Sequence, residues 1–360
     1  MGTFIPARLK KAREEKGLTQ EAFARAIGLS SEFISLLESG KRAPSLGTLA
    51  RIAAHFNRDA SFFLGEKELA FAVLFRAATV HLSPPALLEL EYFQRYCEDY
   101  LRLEEVTGRQ LEIAPLYSGP LSPERMAAEE RRRLGLGDEP IRDIFALLER
   151  NGCRILRRPF PEGIEISGVF VFLEAQNAAF ALINSAQRFC RQVFTAAHEY
   201  CHYLKDRHDA PLIDKDEIFG DQPLPKSKQG GSGLDSKEQF AQIFAAHFLM
   251  PPAKVREVVD KDFGSGRHLS YDDVLLIKRY FGTSAQAMVR TLRDLSLVTA
   301  AQSDEFLAKD PVARESEVFG ASPEECGSGW QIIGRREGQE ASVFSDRYKI
   351  ILREAGLKLR

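Results

Sequence analysis

The feature that most restricts the fold lies at residues 194–209, FTAAHEYCHYLKDRHD. His198 and His202 stand four positions apart, with no proline between them. On a helix such positions share one face, with Cβ atoms about 5–6 Å apart, so both imidazoles can reach one ion. Glu199 follows the first histidine, beside the open position of that ion. A bound zinc lowers the pKa of its water, and a neighbouring glutamate can take the proton and return it to a leaving amine. The pattern HExxH therefore points to peptide hydrolysis, with Glu199 as general base.

A catalytic zinc needs a third protein ligand and leaves its fourth place to water. Two residues compete. His208 falls at the end of HExxHxxxxxH, but that spacing needs a glycine at the eighth position to swing the chain out of the helix, and Lys205 stands there. If the helix continues, His208 lies about 600° of rotation past His202, off the ligand face. Glu238 lies on the next predicted helix, SKEQFAQIFAAHFLMPP, where Ala241 and Ala245 keep one face small enough for close approach. Glu238 is the favoured third ligand. His247 is about 900° beyond Glu238 and reads as a core or surface residue.

The rest of the chain sets the context. At 360 residues it is expected to form two or three domains. Apolar content of 44% and charged content of 28% are those of a soluble globular protein. The longest apolar run, LAFAVLF, is too short to span a bilayer. No signal peptide is evident, so a cytoplasmic location, with no membrane partner, is expected. Five widely spaced cysteines without a CxxC pair read as free thiols. Residues 1–65 carry ten Lys/Arg against six Asp/Glu, a net +4, while the remainder carries 39 against 45. A basic module on an acidic body suggests that the front end approaches a polyanion.

That front end parses into short helices: PARLKKAREEKG stopped by Gly17, TQEAFARAIG capped by Thr19, SSEFISLLESG capped by Ser30 or Ser31, and SLGTLARIAAHF opened by Pro44 and Ser45. Short helices with three- to four-residue turns suit a helix-turn-helix. Ala22, Ile27, Leu29, Ile34 and Leu37 are expected to pack the pair. Through Leu18-Thr19-Gln20, Ala24, Gly28, Ser30, Ile34-Ser35, Glu38-Ser39-Gly40 and Arg42-Ala43-Pro44-Ser45, the segment resembles the phage-repressor (XRE, Cro/cI-type) DNA-binding family. The resemblance implies a recognition helix at residues 30–38 in the major groove of a double-stranded DNA operator. Ser31, Glu32 and Ser35 are then candidates for base edges, and Gln20, Lys41 and Arg42 for phosphates. A homodimer is the expected state, because such modules commonly read paired half-sites.

Residues 66–112 continue as helix, with Leu88, Tyr92, Tyr96, Leu101 and Leu103 as the expected packing face. APLYSGPLSP, at 114–123, has the composition of a linker. Two helices follow, then strands at CRILRRPF, 168–173 and 178–184. The strand ending at Asn184 is a candidate sheet edge for an extended substrate. The loop at 220–235 reads as disordered. The segment 301–360 reads as irregular up to Gly338, followed by a strand or helix packed back on the core.

Residues 122 to about 300 resemble the ImmA/IrrE metallopeptidases through RLGLG with LLERNG, ISGVFV, ALIN, FTAAHEYCHYL, and Glu238 followed by Ala241, FAA and LMP. KRYFGTSAQAMVRTLRDLSLVT is a further match. The resemblance implies that His198, His202 and Glu238 bind Zn²⁺, or another divalent metal such as Mn²⁺, and that Glu199 is the base. Cys201, Gln242 and Asp206 depart from the family pattern. Tyr200 and Tyr203 lie near the motif, but the sequence identifies no group for the oxyanion. The expected fold class is α+β and mostly helical. It comprises an all-α helix-turn-helix domain (1–66), a helical connector (67–118), a zincin-like α+β domain with a small sheet (119–300) and a C-terminal segment (301–360). The implied partner is a protein substrate, a repressor cleaved in a stress or mobile-element response. The alternative is a transcription factor or antitoxin whose peptidase-like domain is a scaffold or sensor. Self-cleavage at 114–123 is a third reading.

Overall fold

The structure is a computed structural model that describes residues 6–56, 58, 60–63, 83–164, 166–209, 212–215, 233–264, 266, 268–320 and 346–355. The LAFAVLF run, most of the 220–235 loop, Cys326 and Trp330 lie outside these.

Four helices open the chain: α1 (Pro6–Glu15), α2 (Gln20–Ala26), α3 (Ser31–Glu38) and α4 (Leu46–Phe56). Their punctuation is local. Thr19 Oγ1 accepts from Ala22 N at 3.1 Å, and Ser30 Oγ from Phe33 N at 3.2 Å. Gly17, Gly28 and Gly40 end the helices at φ of +65°, +67° and +69°, where a Cβ is costly. Leu9, Phe23, Ala24, Ile27, Ile34, Leu37, Ile52 and Phe56 form the core. Ala22, expected inside, is exposed, because Phe23 takes the inward position. Arg13 crosses this core and binds Glu38 with two hydrogen bonds of 2.6 and 2.9 Å.

The long helix α5 (Pro84–Thr107) buries Ala86, Leu90, Phe93, Cys97 and Tyr100, a stripe at three- and four-residue spacing. Leu88 was expected in that stripe but is 63% exposed, two positions out of phase with Leu90. Helices α6 (Pro123–Arg133) and α7 (Ile144–Arg150) lead into β1 (Cys153–Arg158), β2 (Ile166–Leu173) and β3 (Ala178–Asn184). The motif helix α8 (Phe189–Lys205), a short β4 (Leu212–Lys215) and α9 (Gly233–Leu249) follow.

The sheet has the order β1-β3-β2-β4; β1 and β3 are parallel and the other pairs antiparallel. The strand ending at Asn184 is thus central, not an edge as the sequence reading had it. Strand β4, not foreseen, pairs β2 on its outer side. Every residue of β2 and β3 is buried, which explains their nearly unbroken apolar runs. Phe170, Phe172, Ala179, Ala181 and Ile183 face the core that contains α8 and α9. Val169, Val171, Leu173, Phe180 and Leu182 join the core that contains α5 and the first four helices.

The stretch 114–123, read as a linker, is instead held to the motif helix and the turn after it through Ala114 and Tyr117. Tyr117 N donates to Leu204 O at 2.8 Å, Arg207 to Ala114 O at 2.8 Å, and Tyr203 Oη accepts from Ala114 N at 2.5 Å. Cleavage there would require this segment to detach. Helices α10 (Pro252–Val258), α11 (Tyr271–Phe281) and α12 (Ala285–Asp294) close the domain. The expected irregular stretch after 300 contains α13 (Ala300–Leu307) and α14 (Pro311–Phe319). A buried ion pair of 2.8 Å between Lys278 and Glu315 pins α14 to α11. Helix α15 (Asp346–Glu354) packs Tyr348, Ile351 and Leu352 onto α5.

Candidate metal centre and nucleic-acid interface

Helix α8 packs on both the sheet and α9, with Ala196, Ala197, Cys201 and Leu204 buried in the core these elements share and His198 and His202 beside Glu238 of α9. Ala241 and Ala245 are fully buried on α9 and let it approach closely. Three donor atoms converge between the two helices. His198 Nε2 lies 2.9 Å from Glu238 Oε2 and 3.1 Å from His202 Nε2, and His202 Nε2 lies 3.6 Å from Glu238 Oε2. His198, His202 and Glu238 form the one group among the described residues with metal-holding geometry. His208 is elsewhere, half-exposed and bonded to Glu174 at 2.6 Å.

The orientation of the second imidazole is fixed from behind. Asp206 Oδ2 stands 3.3 Å from His202 Nδ1. A carboxylate can only accept, so Nδ1 carries the proton and a neutral ring presents the Nε2 lone pair to the cluster. Burial disfavours a charged His202, but Asp206 and Glu238 outweigh it and bring its pKa up to about 10, so a cation gains the Nε2 lone pair only by displacing the proton held there. Burial would likewise raise Glu238, yet the two imidazoles hold it well below the ordinary carboxylate range. Two nitrogens and one oxygen, borderline and hard donors in a compact cluster, fit a zinc-sized divalent cation. Such a cation, when bound, polarises a carbonyl and acidifies a water.

Glu199 is fully buried on the strand side of α8. A Cβ added at Gly168 of β2 would stand 2.4 Å from Glu199 Oε1 and 2.7 Å from Thr195 Cγ2. The missing side chain at Gly168 therefore makes the recess that the Glu199 carboxylate fills. The sequence reading assigned no role to Gly168 or to the Asp206 contact. A lone glycine inside ISGVFVFL was the available signal, since glycine within a strand marks a close approach.

Tyr200 and Tyr203 point away from the cluster. Tyr200 Oη donates to the buried Glu130 at 2.5 Å, and Tyr203 Oη donates to Asn151 O at 2.9 Å. They anchor α8 rather than face a substrate. Cys201 is buried in the core, and burial pushes its thiol pKa well up, so it is a packed thiol. His247 is half-buried, away from the cluster, and its pKa is lowered by burial.

At the front end, Ser31, Glu32 and Ser35 form one exposed face of α3, opposite buried Ile34 and Leu37. Lys41 and Arg42 are exposed just beyond, with the Arg42 guanidinium 4.9 Å from the Phe33 ring centroid. Gln20 is half-buried, and its amide donates to Glu38 Oε2 at 2.8 Å. That contact leaves one amide hydrogen for a phosphate.

Comparisons with known proteins match two separate stretches of the chain. Residues 9–63 match the helix-turn-helix family model, and residues 148–293 match that of the IrrE N-terminal-like domain of the M78 peptidases. The chain is 42% identical over 50 residues to an uncharacterized HTH-type transcriptional regulator of Archaeoglobus fulgidus, covering 14% of this chain and 71% of that one. It is 41% identical over 58 residues to the ImmF control region 10 kDa protein of Bacillus phage phi105, covering 16% and 64%. With the HTH-type transcriptional regulator PrpR of Mycobacterium tuberculosis it shares 35% over 66 residues, 18% of this chain but only 14% of PrpR. Fold and site thus define a DNA-binding helix-turn-helix regulator joined to a peptidase-type α+β domain. The chain belongs to the XRE-type helix-turn-helix regulators, and its second part is an IrrE/ImmA-like domain. Among the described residues no helix is long and apolar enough to cross a membrane.

Proposed function

We propose that this regulator is a zinc-dependent endopeptidase that cleaves a protein partner, a transcriptional repressor, while its helix-turn-helix places it at the operator as a homodimer. One observation carries the reading. His198, His202 and Glu238 bring three donor atoms within 4.8 Å of one another, and Glu199 lies on the same helix in a recess that Gly168 leaves open. In this reading the three side chains hold the cation. Glu199 takes a proton from the attacking water and returns it to the leaving amine. Ser31, Glu32 and Ser35 meet base edges, and Gln20, Lys41 and Arg42 meet phosphates.

The test is cleavage of repressors encoded next to the gene, with native protein and with Glu199→Gln. Cutting by the native protein alone supports the reading; cutting by both marks a contaminant. A second reading has one observation in its favour: relatives matched through the front end are named as transcriptional regulators. In it the peptidase-like domain is a scaffold or sensor. Persistent operator binding with no cleavage of any repressor would select it.

A further inference from the structure

Beside the metal centre lies a cavity of about 1020 Å³, walled by α8, α9, α12 and the start of α14. It begins one helical turn from the donor cluster on both helices. Phe194 lines it four residues before His198, and Gln242 lines it four residues after Glu238. Arg191, also in its wall, donates to Ser167 Oγ at 3.3 Å, next to the Gly168 recess that holds Glu199. The cavity therefore starts one helical turn from the donor cluster, and its wall does not include His198, Glu199, His202 or Glu238 themselves.

Its charges sort by depth. The acidic residues in the wall, Glu124, Asp294 and Asp310, are exposed. Of the three arginines in the wall, Arg188 is exposed, Arg191 is half-buried and Arg290 is only 9% exposed. Asp294 lies near enough to Arg290 to interact with it, but its side chain is 54% exposed. Charge in water is screened within about 8–10 Å, whereas buried charge is screened much less. The two most buried charged side chains of the wall are thus arginines, beside the apolar side chains of Phe194, Ile243 and Ala246.

We infer that this cavity is a specificity subsite for an acidic side chain of the peptide substrate, with Arg290 and Arg191 as its carboxylate receptors. The inference rests on the peptidase reading and extends it to a substrate class. Arg191 precedes His198 by seven residues, about 10 Å of helix. An extended peptide covers that distance in about three residues, so the acidic residue lies about three positions from the cleaved bond. Guanidinium donors match carboxylates in a paired geometry that an amide side chain cannot reproduce with equal strength.

The experiment uses full-length, zinc-loaded Glu199→Gln protein and labelled decapeptides that place Asp, Asn or Lys at each position in turn, read by fluorescence anisotropy. One register is expected to bind about tenfold more tightly with Asp than with Asn, the scale of a charge-assisted hydrogen bond. Arg290→Gln should erase that preference, Arg191→Gln should weaken it, and Arg290→Lys should retain it, all with unchanged zinc content. Equal binding of Asp and Asn peptides, tighter binding of Lys peptides, absence of peptide binding, or a preference that survives both arginine-to-glutamine changes would each overturn the inference. Cleavage by the native chain is read separately. Peptides cut without acidic preference would leave the peptidase reading and remove the subsite. Acidic peptides bound through the arginines but never cut would keep the subsite and remove the peptidase.

Discussion

Three residues decide whether the centre between the helices works, and each has a separate physical task. Glu238 supplies the third donor, so Glu238→Ala should leave the full-length protein unable to retain zinc through gel filtration. His208→Ala, which alters an exposed contact with Glu174, should retain a full equivalent. Asp206 holds the His202 ring in place, and loss of such an outer partner typically weakens metal binding by about 10- to 100-fold. Competition with a chelator should show that loss for Asp206→Ala. Gly168→Ala is the most specific change, because its Cβ would stand 2.4 Å from Glu199 Oε1. Zinc should remain bound while cleavage falls by about 100-fold, the usual consequence of a misplacement near 1 Å. Zinc loss in that variant would show that Gly168 supports the helix rather than the Glu199 carboxylate.

At the scale of elements, sequence and structure agree wherever the information is local. Helix stops at Gly17, Gly28 and Gly40 and caps at Thr19 and Ser30 depend on neighbours a few residues away, and they were legible. HExxH on a helix was legible for the same reason. Which face a helix buries depends on partners far along the chain, so Ala22 and Leu88 were misplaced outside-in. Strand order is also nonlocal: β1 pairs β3 in parallel across the intervening β2, and that put the Asn184 strand in the centre. The Arg13–Glu38 clamp between α1 and α3 belongs to the same class of hidden long-range contact. Burial opposes the Glu38 charge, but Arg13 and Gln20 outweigh it and hold its pKa below the ordinary value of 4.5. A depressed carboxylate contributes stability above its unfolded pKa and loses it as pH falls through the folded one. The native helix-turn-helix should therefore lose stability below pH about 4.5 by an amount absent in Glu38→Gln, as urea unfolding at pH 6, 4.5 and 3 would show. At pH 6 that variant should already be weaker by about 3 kcal/mol, because Arg13 is left buried without its anion.

At the scale of the whole molecule, the sheet is the partition. Its one face carries the motif helix and its other face carries α5, so the metal centre and the DNA-binding end pack on opposite sides of the same strands. The first four helices are tied to α5 by Gly47 N, which donates to Glu91 at 2.7 Å, and by a shared apolar core. The C-terminal helix completes that second side. Arg347 reaches Glu104 at 3.4 Å, Glu104 also binds the buried Arg154 of β1, and Tyr348 packs on Tyr96 and Tyr100. Ile351 is wholly buried there, so Ile351→Ala removes apolar contact from a site with little room to collapse. Such truncations cost about 2–5 kcal/mol. The loss should appear in urea unfolding of the full chain. Zinc affinity should stay unchanged, because the ligands belong to the opposite core. If zinc affinity fell together with stability, the two faces of the sheet would be energetically coupled. Occupancy of the metal centre would then be sensed through the strands by the helices that approach DNA.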